Sequence, residues 1–235
     1  MIRDESSRGR RRRRAGVERS VVREFADHGW SVGLLARTAD TIDSLALEVE
    51  DDGIAALPVQ ADVTDPGDVT RAFEEIRTEL GAVDVLVNHA AAVYAGGVSD
   101  ITAAQFEEMW RGCVFGAFLC TRAVVPNMRD RNDGTIIFTG ADAGTRARGD
   151  AVGFSSAKFA VRGLAQGMAK ELGPDGIHVA HVVLHGGMET PRTRRAMPDI
   201  DHSSLLDPDD IATTYRHLAR QSPRSRTTEV DIRSH

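Results

Sequence analysis

TIIFT at residues 135–139 and IHVAHVVL at residues 177–184 flank a helical pattern over residues 152–172, and this stretch decides the fold. Strands that are buried on both faces of a parallel sheet form continuous apolar runs of this kind. The helical pattern ends at Gly173, which is followed by Pro174, and this pair is a typical helix stop. A strand, a helix and a second strand in this order predict a βαβ unit with parallel strands.

The same alternation of helices and apolar runs extends in both directions along the chain. We predict strands near residues 31–36, 55–60, 83–87, 134–139, 177–183 and 229–232, and helices over 17–29, 40–52, 66–80, 102–128, 152–172 and 207–221. Right-handed crossovers would assemble these elements into an α/β fold with a doubly wound, Rossmann-like parallel sheet. Residues 17–235 are therefore predicted to form a single domain, with ligands bound at the carboxyl ends of its strands.

An N-terminal segment, residues 1–16, is polar and rich in Arg, Ser and Gly, which predicts irregular structure. Its five consecutive arginines, Arg10–Arg14, cannot form a central strand, because burying unpaired charges is costly. The first strand of the sheet is therefore predicted to be degenerate or missing. The arginine run could bind nucleic acid, but the net charge of −6 argues against such a partner. A solvated tail is the alternative interpretation.

The composition excludes several classes of protein. The chain has 235 residues, 41% of them hydrophobic, which suits one globular domain with a sizeable core. No window approaches the roughly 18 consecutive apolar residues that a membrane helix needs. Two cysteines, Cys113 and Cys120, provide neither a disulfide framework nor a metal-ligand cluster. We therefore expect a cytoplasmic protein with no membrane partner and no metal.

Short motifs follow the predicted strands or lie on the predicted helices. They are LLAR (34–37), ADVTD (61–65), DVLVNHAA (84–91), GTIIFTG (134–140), FSSAK (154–158), KELGPDGIHVAHVV (170–183) and GGMET (186–190). Taken together they resemble the short-chain dehydrogenase/reductase family, from about Gly16 to the C-terminus. The resemblance implies hydride transfer between NAD(P) and a small-molecule alcohol or carbonyl compound.

A cofactor site is also implied by the resemblance. Arg37 follows a strand at the position where an arginine favours the 2′-phosphate of NADP. Asp62 is similar to the residue that accepts the adenine amino group, and Lys158 to the lysine that holds the ribose. The implied cofactor-binding residues are Arg37, Asp62, Val63, Asn88, Lys158, Gly186 and Thr190. The alternatives are a solvated loop arginine for Arg37, a turn carboxylate for Asp62 and a structural role for Asn88.

The implied catalytic residues depart from the family's pattern. The family uses a Tyr for proton transfer, a Lys four residues later, a Ser thirteen residues earlier and an Asn on the long helix. Here Phe154 stands at the Tyr position, Ala141 at the Ser position and Cys113 at the Asn position, and only Lys158 matches. Phenylalanine has no titratable proton, so the usual general acid–base step cannot occur there. The resemblance therefore implies an impaired oxidoreductase and leaves open whether the chain is an enzyme.

The glycine-rich turn that binds the pyrophosphate in the family is incomplete as well. Gly16 and Val17 fit the later part of that motif, and Glu18 stands where its last glycine is expected. A carboxylate at a helix N-terminus would repel a pyrophosphate. We therefore expect NADP to bind weakly or not at all.

Three further side chains follow predicted strands and could replace the missing proton donor: His89, Tyr94 and His185. Ordinary packing is the alternative interpretation for each of them.

A noncatalytic relative that keeps the scaffold for ligand binding or oligomer formation is the alternative function. In the family, the helices near 102–128 and 152–172 pair between subunits. These helices carry apolar positions beyond what one sheet face needs, namely Phe115, Phe118, Leu119, Phe159, Val161 and Leu164. We therefore predict a homodimer or a homotetramer.

Overall fold

The computed structural model describes residues 16–50 and 53–234. Its helices are α1 (Val17–Asp27), α2 (Ala39–Glu50), α3 (Pro66–Glu79), α4 (Ala103–Trp110), α5 (Gly116–Arg131), α6 (Val152–Leu172), α7 (Pro191–Ala196) and α8 (Pro208–Ala219). Its strands are β1 (Val32–Ala36), β2 (Ala56–Gln60), β3 (Val85–Asn88), β4 (Gly134–Thr139), β5 (Ile177–His185) and β6 (Glu229–Arg233). Every predicted strand is present, close to its predicted ends.

All strand pairs are parallel, which confirms the predicted doubly wound α/β fold. β1 pairs with β2, so that Leu34 lies opposite Pro58. The strands β3, β4, β5 and β6 follow one another in a second sheet, in which Ile137 lies opposite Ala180. Because these strands run in the same direction, the loops after β3, β4 and β5 meet at one edge of that sheet.

Helices cover both faces of the second sheet. On one face, Phe25 of α1 and Tyr215 of α8 belong to the cluster that contains Ile137. On the other face, apolar side chains of α3, α5 and α6 pack with Ile136 and Phe138. All six residues of β4 are buried between these two layers. The apolar runs that predict the fold therefore form the centre of the core.

The long helix predicted over 102–128 is divided in the structure. A π-helical turn at Arg111–Phe115 separates α4 from α5. One glycine inside this turn and one directly after it allow close approaches. A Cβ on Gly112 would lie 3.3 Å from the Ala92 nitrogen, and one on Gly116 would lie 2.8 Å from Val63 Cγ2. The wider turn brings the helix against the loops that follow β2 and β3, and π-turns of this kind are frequent at functional sites.

The prediction that six apolar side chains of the helices near 102–128 and 152–172 are not needed for packing on the sheet is partly wrong. Leu119 and Val161 are buried in the core cluster between α3, α5 and α6, because each faces the sheet rather than solvent. Phe118 and Phe159 are exposed by 39% and 42%. The exposed apolar face of these helices therefore contains the two phenylalanines and not the leucine and valine.

Two predictions concern residues 1–15, which lie outside the described residues. They are the irregular structure of the N-terminal segment and the degenerate or missing first strand. The described chain begins at Gly16, which is the N-cap residue of α1. Within residues 16–50 and 53–234, β1 and β3 each have a strand partner on one side only.

Buried histidines predict a loss of stability in acid. His178 and His181 of β5 are 2% and 1% exposed, and burial lowers the pKa of both below the ordinary value of about 6.5. The unfolded chain therefore binds more protons than the folded chain just below that value, so the free energy of unfolding falls as the pH drops through it. We expect a lower urea midpoint at acidic pH than at neutral pH, with a smaller difference in His178→Gln. His28→Gln, at an exposed position, is the control; equal midpoints across this range in the unmodified chain would contradict the prediction.

Candidate active site

Lys158 lies on α6 beneath the end of β4. Its side chain is buried, and its Nζ donates a hydrogen bond of 2.8 Å to the carbonyl oxygen of Thr139. Burial lowers the pKa of Lys158, because an ammonium is less stable away from water. One helical turn earlier, the ring of Phe154 has its centroid 5.5 Å from the same nitrogen. Lys158 is the one residue that matches the implied catalytic set. It therefore contacts the ring of Phe154 at the position where the family pattern has a tyrosine hydroxyl.

The other two implied catalytic positions also lack a useful proton. Ala141 is the N-cap residue of a short 3-10 turn, Asp142–Gly144, directly after β4. Cys113 is buried in the π-turn with its Sγ 3.9 Å from the carbonyl oxygen of Ala92, and burial raises the pKa of its thiol. A neutral thiol held in this way is a poor acid–base group at neutral pH.

A chain of polar side chains crosses the site beside Lys158. The hydroxyl of Thr139 lies 2.7 Å from the hydroxyl of Tyr215 and 3.1 Å from Nδ1 of His89. On its other side, Nε2 of His89 lies 3.9 Å from a carboxylate oxygen of Glu18. Partial burial lowers the pKa of His89, which favours its neutral form at pH 7, although the Glu18 charge opposes this shift. Hydrogen bonds therefore join Tyr215, Thr139 and His89, whereas Glu18 is too far from His89 to form one.

Sequence reasoning missed Thr139 and Tyr215. Tyr215 lies on α8, is completely buried, and has its pKa raised by burial. It stands far along the chain from the motifs that resemble the family. The chain has only two tyrosines, and this scarcity is the one signal that could have drawn attention to it.

The three candidate replacement donors lie in different places. His89 lies in the polar chain beside Lys158. Tyr94 donates a 2.6 Å hydrogen bond to Glu108, which raises the pKa of its hydroxyl. His185 contacts Asp231 across the β5–β6 pair, with 2.7 Å between Nε2 and Oδ1. Of the three, the structure brings only His89 to Lys158.

Four of the implied cofactor-binding residues line one cavity of about 1080 Å³: Arg37, Asp62, Val63 and Asn88. Arg37 directly follows β1, and its side chain is 67% exposed, with Nη1 3.8 Å from a carboxylate oxygen of Glu108. An exposed ion pair of this kind is weak, so the guanidinium is available to an anionic ligand.

Asp62 and Asn88 also have structural partners. A carboxylate oxygen of Asp62 accepts a 2.8 Å hydrogen bond from the Thr64 amide. The side-chain amide of Asn88 donates to the Thr121 hydroxyl over 3.3 Å, which ties the end of β3 to α5. Asp62 therefore acts as a turn carboxylate and Asn88 as a link between β3 and α5, which are the alternative interpretations of these two residues.

Gly186 and Thr190 lie beyond the end of β5, outside the lining of this cavity. Gly186 has a φ of +116°, which favours glycine. The Thr190 hydroxyl accepts a 3.1 Å hydrogen bond from the Thr193 amide and caps α7. α7 is a helix that the sequence analysis does not predict, because it is short and its start depends on this cap rather than on an apolar period.

The N-terminus of α1 carries a negative charge. A Cβ added to Gly16 would clash with the carboxylate of Glu18, so this carboxylate lies back over the first turn of the helix. The free N–H groups of a helix start normally attract phosphate. This end of the cavity therefore does not fit a pyrophosphate, whereas the Arg37 end fits a phosphate group.

Comparison with known proteins places the chain among related sequences. A family model described as short chain dehydrogenase matches residues 14–201. The 3-alpha-(or 20-beta)-hydroxysteroid dehydrogenase of Mycobacterium tuberculosis is 33% identical over 208 residues, covering 87% of this chain and 78% of that protein. The crystal structure of a putative short-chain dehydrogenase/reductase from Burkholderia xenovorans is similar with a TM-score of 0.84 and 26% identity, covering 93% and 89% of the two chains. A gluconate 5-dehydrogenase from Burkholderia cenocepacia, crystallised with NADP and tartrate, has a TM-score of 0.83 at 23% identity, with coverage of 93% and 89%.

Proposed function

The chain belongs to the short-chain dehydrogenase family, and we propose that it binds NADP(H) weakly and transfers hydride poorly or not at all. The observation that carries this proposal is the contact between Lys158 and the Phe154 ring. The buried lysine keeps its position, but the side chain beside it has no proton to give. Substrates of the family are small-molecule alcohols and carbonyl compounds, and we infer the same class here.

NADP(H), when bound, supplies or accepts the hydride. The exposed guanidinium of Arg37 would hold the 2′-phosphate, and the carboxylate of Asp62 would face the adenine. Lys158 holds the Thr139 carbonyl through its ammonium. Phe154 and Ala141 can neither donate a proton to a substrate oxygen nor polarise it. Any residual proton transfer would have to use His89, whose Nδ1 contacts the Thr139 hydroxyl.

Calorimetric titration with NADPH and NADH tests the proposal. We expect NADPH to bind more tightly than NADH, and Arg37→Ala to remove this preference because the 2′-phosphate loses its cation. Arg224→Ala, at an exposed position in the α8–β6 connection, is the control. Absence of binding by either nucleotide would overturn the proposal and favour the noncatalytic alternative.

Neutralising Glu18 is expected to strengthen cofactor binding. Glu18→Gln removes the negative charge at the start of α1, so the Kd for NADPH should fall about tenfold, or ~1.4 kcal/mol. The matched control is Glu74→Gln on the exposed face of α3, which should leave the Kd unchanged. An unchanged Kd in Glu18→Gln would show that this charge does not limit binding.

The exposed phenylalanines of α5 and α6 support a homo-oligomer. Phe118 and Phe159 are exposed by 39% and 42%, and we infer that a second copy covers them in a homodimer or homotetramer. Light scattering on the unmodified chain should give a multiple of the 25.4 kDa chain mass. The double substitution Phe118→Glu with Phe159→Glu should give the chain mass, whereas Leu47→Glu, at an exposed position on α2, should not. A monomer for the unmodified chain at micromolar concentration would contradict the inference.

A cytoplasmic location and the absence of a nucleic-acid partner stay predictions. Both cysteines are free and buried, which is consistent with a reducing compartment. Across residues 16–50 and 53–234, every helix is too short or too polar to cross a bilayer. We also propose that residues 17–235 act as one domain.

A further inference from the structure

Two buried hydroxyl groups lie beside His89, and their hydrogens determine which nitrogen of its ring carries the proton. Tyr215 of α8 is completely buried, and Thr139 at the end of β4 is buried as well. Their hydroxyl oxygens lie 2.7 Å apart, and the Thr139 hydroxyl lies 3.1 Å from Nδ1 of His89. Each hydroxyl has one hydrogen, and a buried hydroxyl hydrogen without an acceptor is costly. The two hydrogen bonds therefore have to use both hydroxyl hydrogens.

One assignment of the hydrogens meets this condition. Within the described ranges, the oxygen of Thr139 is the one hydrogen-bond partner of the Tyr215 hydroxyl, so Tyr215 donates to Thr139. The hydrogen of Thr139 is then available to Nδ1 of His89, which is the other partner of this hydroxyl. Every other assignment leaves one hydroxyl hydrogen unpaired in the interior. Nδ1 of His89 therefore accepts a hydrogen bond, and the proton of the neutral ring lies on Nε2.

The backbone of Thr139 is fixed in place. The ammonium of Lys158 donates a 2.8 Å hydrogen bond to its carbonyl oxygen, and in the sheet Thr139 lies opposite Val182 of β5. The side chain of a threonine is branched at Cβ and has few rotamers. The Thr139 hydroxyl therefore keeps its place between the phenol of Tyr215 and the imidazole of His89.

The other ring nitrogen of His89 faces the cavity of about 1080 Å³ that His89 lines. Nε2 lies 3.9 Å from a carboxylate oxygen of Glu18, which is beyond hydrogen-bond distance. The imidazole side chain is 32% exposed, so Nε2 can be reached by a ligand. His89 therefore offers an unused N–H group to an acceptor in the cavity.

The charges around His89 are consistent with a neutral ring. Burial and the ammonium of Lys158 lower the pKa of His89, whereas the carboxylate of Glu18 raises it, and the lowering effects are larger. A second proton on Nδ1 would also turn the Thr139 hydrogen away from its acceptor. Both effects favour the neutral form at pH 7.

We propose that Thr139 is a positioning residue that holds His89 as the Nε2–H tautomer. In this form, His89 can donate a hydrogen bond to a carbonyl oxygen in the cavity. Its Nε2 has no lone pair with which to accept a proton from an alcohol. His89 is therefore suited to polarise a carbonyl compound and unsuited to act as the base for an alcohol. This consequence for the substrate rests on the proposed function, whereas the tautomer does not.

Nitrogen-15 NMR of the histidine side chains tests the proposal on the full chain without nucleotide, at about pH 8, where histidines are neutral. Two other histidines serve as references. Nδ1 of His28 lies 2.7 Å from the carbonyl oxygen of Glu24, so it carries the proton. Nε2 of His178 lies 2.9 Å from the carbonyl oxygen of Thr227, so there Nε2 carries it. Substituting each of these histidines by Gln assigns its resonances. We expect the spectrum of His89 to match that of His178.

A double substitution tests the role of Thr139. Thr139→Val with Tyr215→Phe removes both hydroxyls at nearly constant shape and leaves no hydroxyl hydrogen unpaired. We expect His89 to populate both tautomers in this variant, so that its two nitrogen resonances move toward each other. Thr139→Ser and Tyr215→Phe are the matched controls. Each keeps a hydroxyl at position 139, and each should keep the Nε2–H tautomer. Circular dichroism shows whether each variant is folded.

Three outcomes would overturn the proposal. A proton on Nδ1 of His89 in the unmodified chain, or equal populations of the two tautomers there, would show that the hydroxyls do not hold the ring as inferred. An unchanged tautomer in the folded double variant would show that Thr139 does not determine it. The spectrum of the unmodified chain is decisive even if the double variant does not fold. Because these spectra need no nucleotide, a failure of NADPH to bind would refute the proposed function and leave this result unaffected.

Discussion

Phe154→Tyr combined with Ala141→Ser is expected to raise NADPH-dependent reduction of small ketones by about 10²-fold or more. The tyrosine would place a hydroxyl beside the ammonium of Lys158, where the ring already lies 5.5 Å away. General acid–base catalysis typically contributes about 10²–10⁴ in rate. The serine would supply a hydroxyl toward the substrate oxygen after β4. Initial rates from NADPH absorbance, at concentrations above the Kd from titration, measure the effect.

The single substitution Phe154→Tyr shows whether the two hydroxyls act together. It should stay near background, because catalytic groups that act as a unit on one substrate oxygen give little of their combined effect singly. Phe106→Tyr, at an exposed position on α4, is the matched control and should change nothing. Full activity in Phe154→Tyr alone would show that Ala141 is not limiting. No gain in the double variant, with NADPH bound, would show that Lys158 is not positioned for this chemistry.

Replacing three arginines of the N-terminal run by valine is expected to raise Tm by about 5–10 °C. The residues Arg11–Arg13 lie just before α1 in the chain, with residues 14–16 between them, and consecutive elements are usually neighbours in space. Buried valines stabilise by about 1.5–3 kcal/mol each before the cost of ordering the segment, which is about 1–2 kcal/mol per residue. Hydrogen bonds from the valine segment to β1 and β3 would add to this gain. An increase of about 3 kcal/mol in the free energy of unfolding corresponds to the expected rise in Tm for a domain of this size.

Thermal unfolding followed by circular dichroism measures this change. The control is the same three positions replaced by serine, which removes the charges without supplying a strand former. We expect the serine variant to shift Tm by much less than the valine variant. Equal shifts would mean that charge removal, rather than pairing of the valines with β1 and β3, causes the stabilisation.

The central part of the fold could be predicted from local sequence. The ends of β4 and of α6 agree with their predictions, because continuous apolar runs and clear stop signals define them. The π-turn at Arg111–Phe115 could not be predicted, since it depends on close approaches to Ala92 and Val63. Periodicity also did not separate Leu119, which is buried, from its exposed neighbour Phe118.

The candidate site was predictable only where residues follow the spacing of a motif. Phe154 and Lys158 lie one turn apart on α6, so their proximity follows from helix geometry. The contact of Thr139 with Tyr215 joins β4 to α8 over a long stretch of chain. No local pattern specifies such a contact. The charge of Glu18 was visible in the sequence, but its position over the start of α1 required the structure.

The most direct test of the account is turnover by the unmodified chain. NADPH absorbance is followed with a panel of ketones and aldehydes, and NADP reduction with a panel of alcohols, at cofactor concentrations above the Kd found by titration. The account predicts rates at background, because the side chain beside Lys158 is a phenylalanine. Robust turnover would contradict it, and loss of that turnover in His89→Phe would then identify His89 as the proton donor.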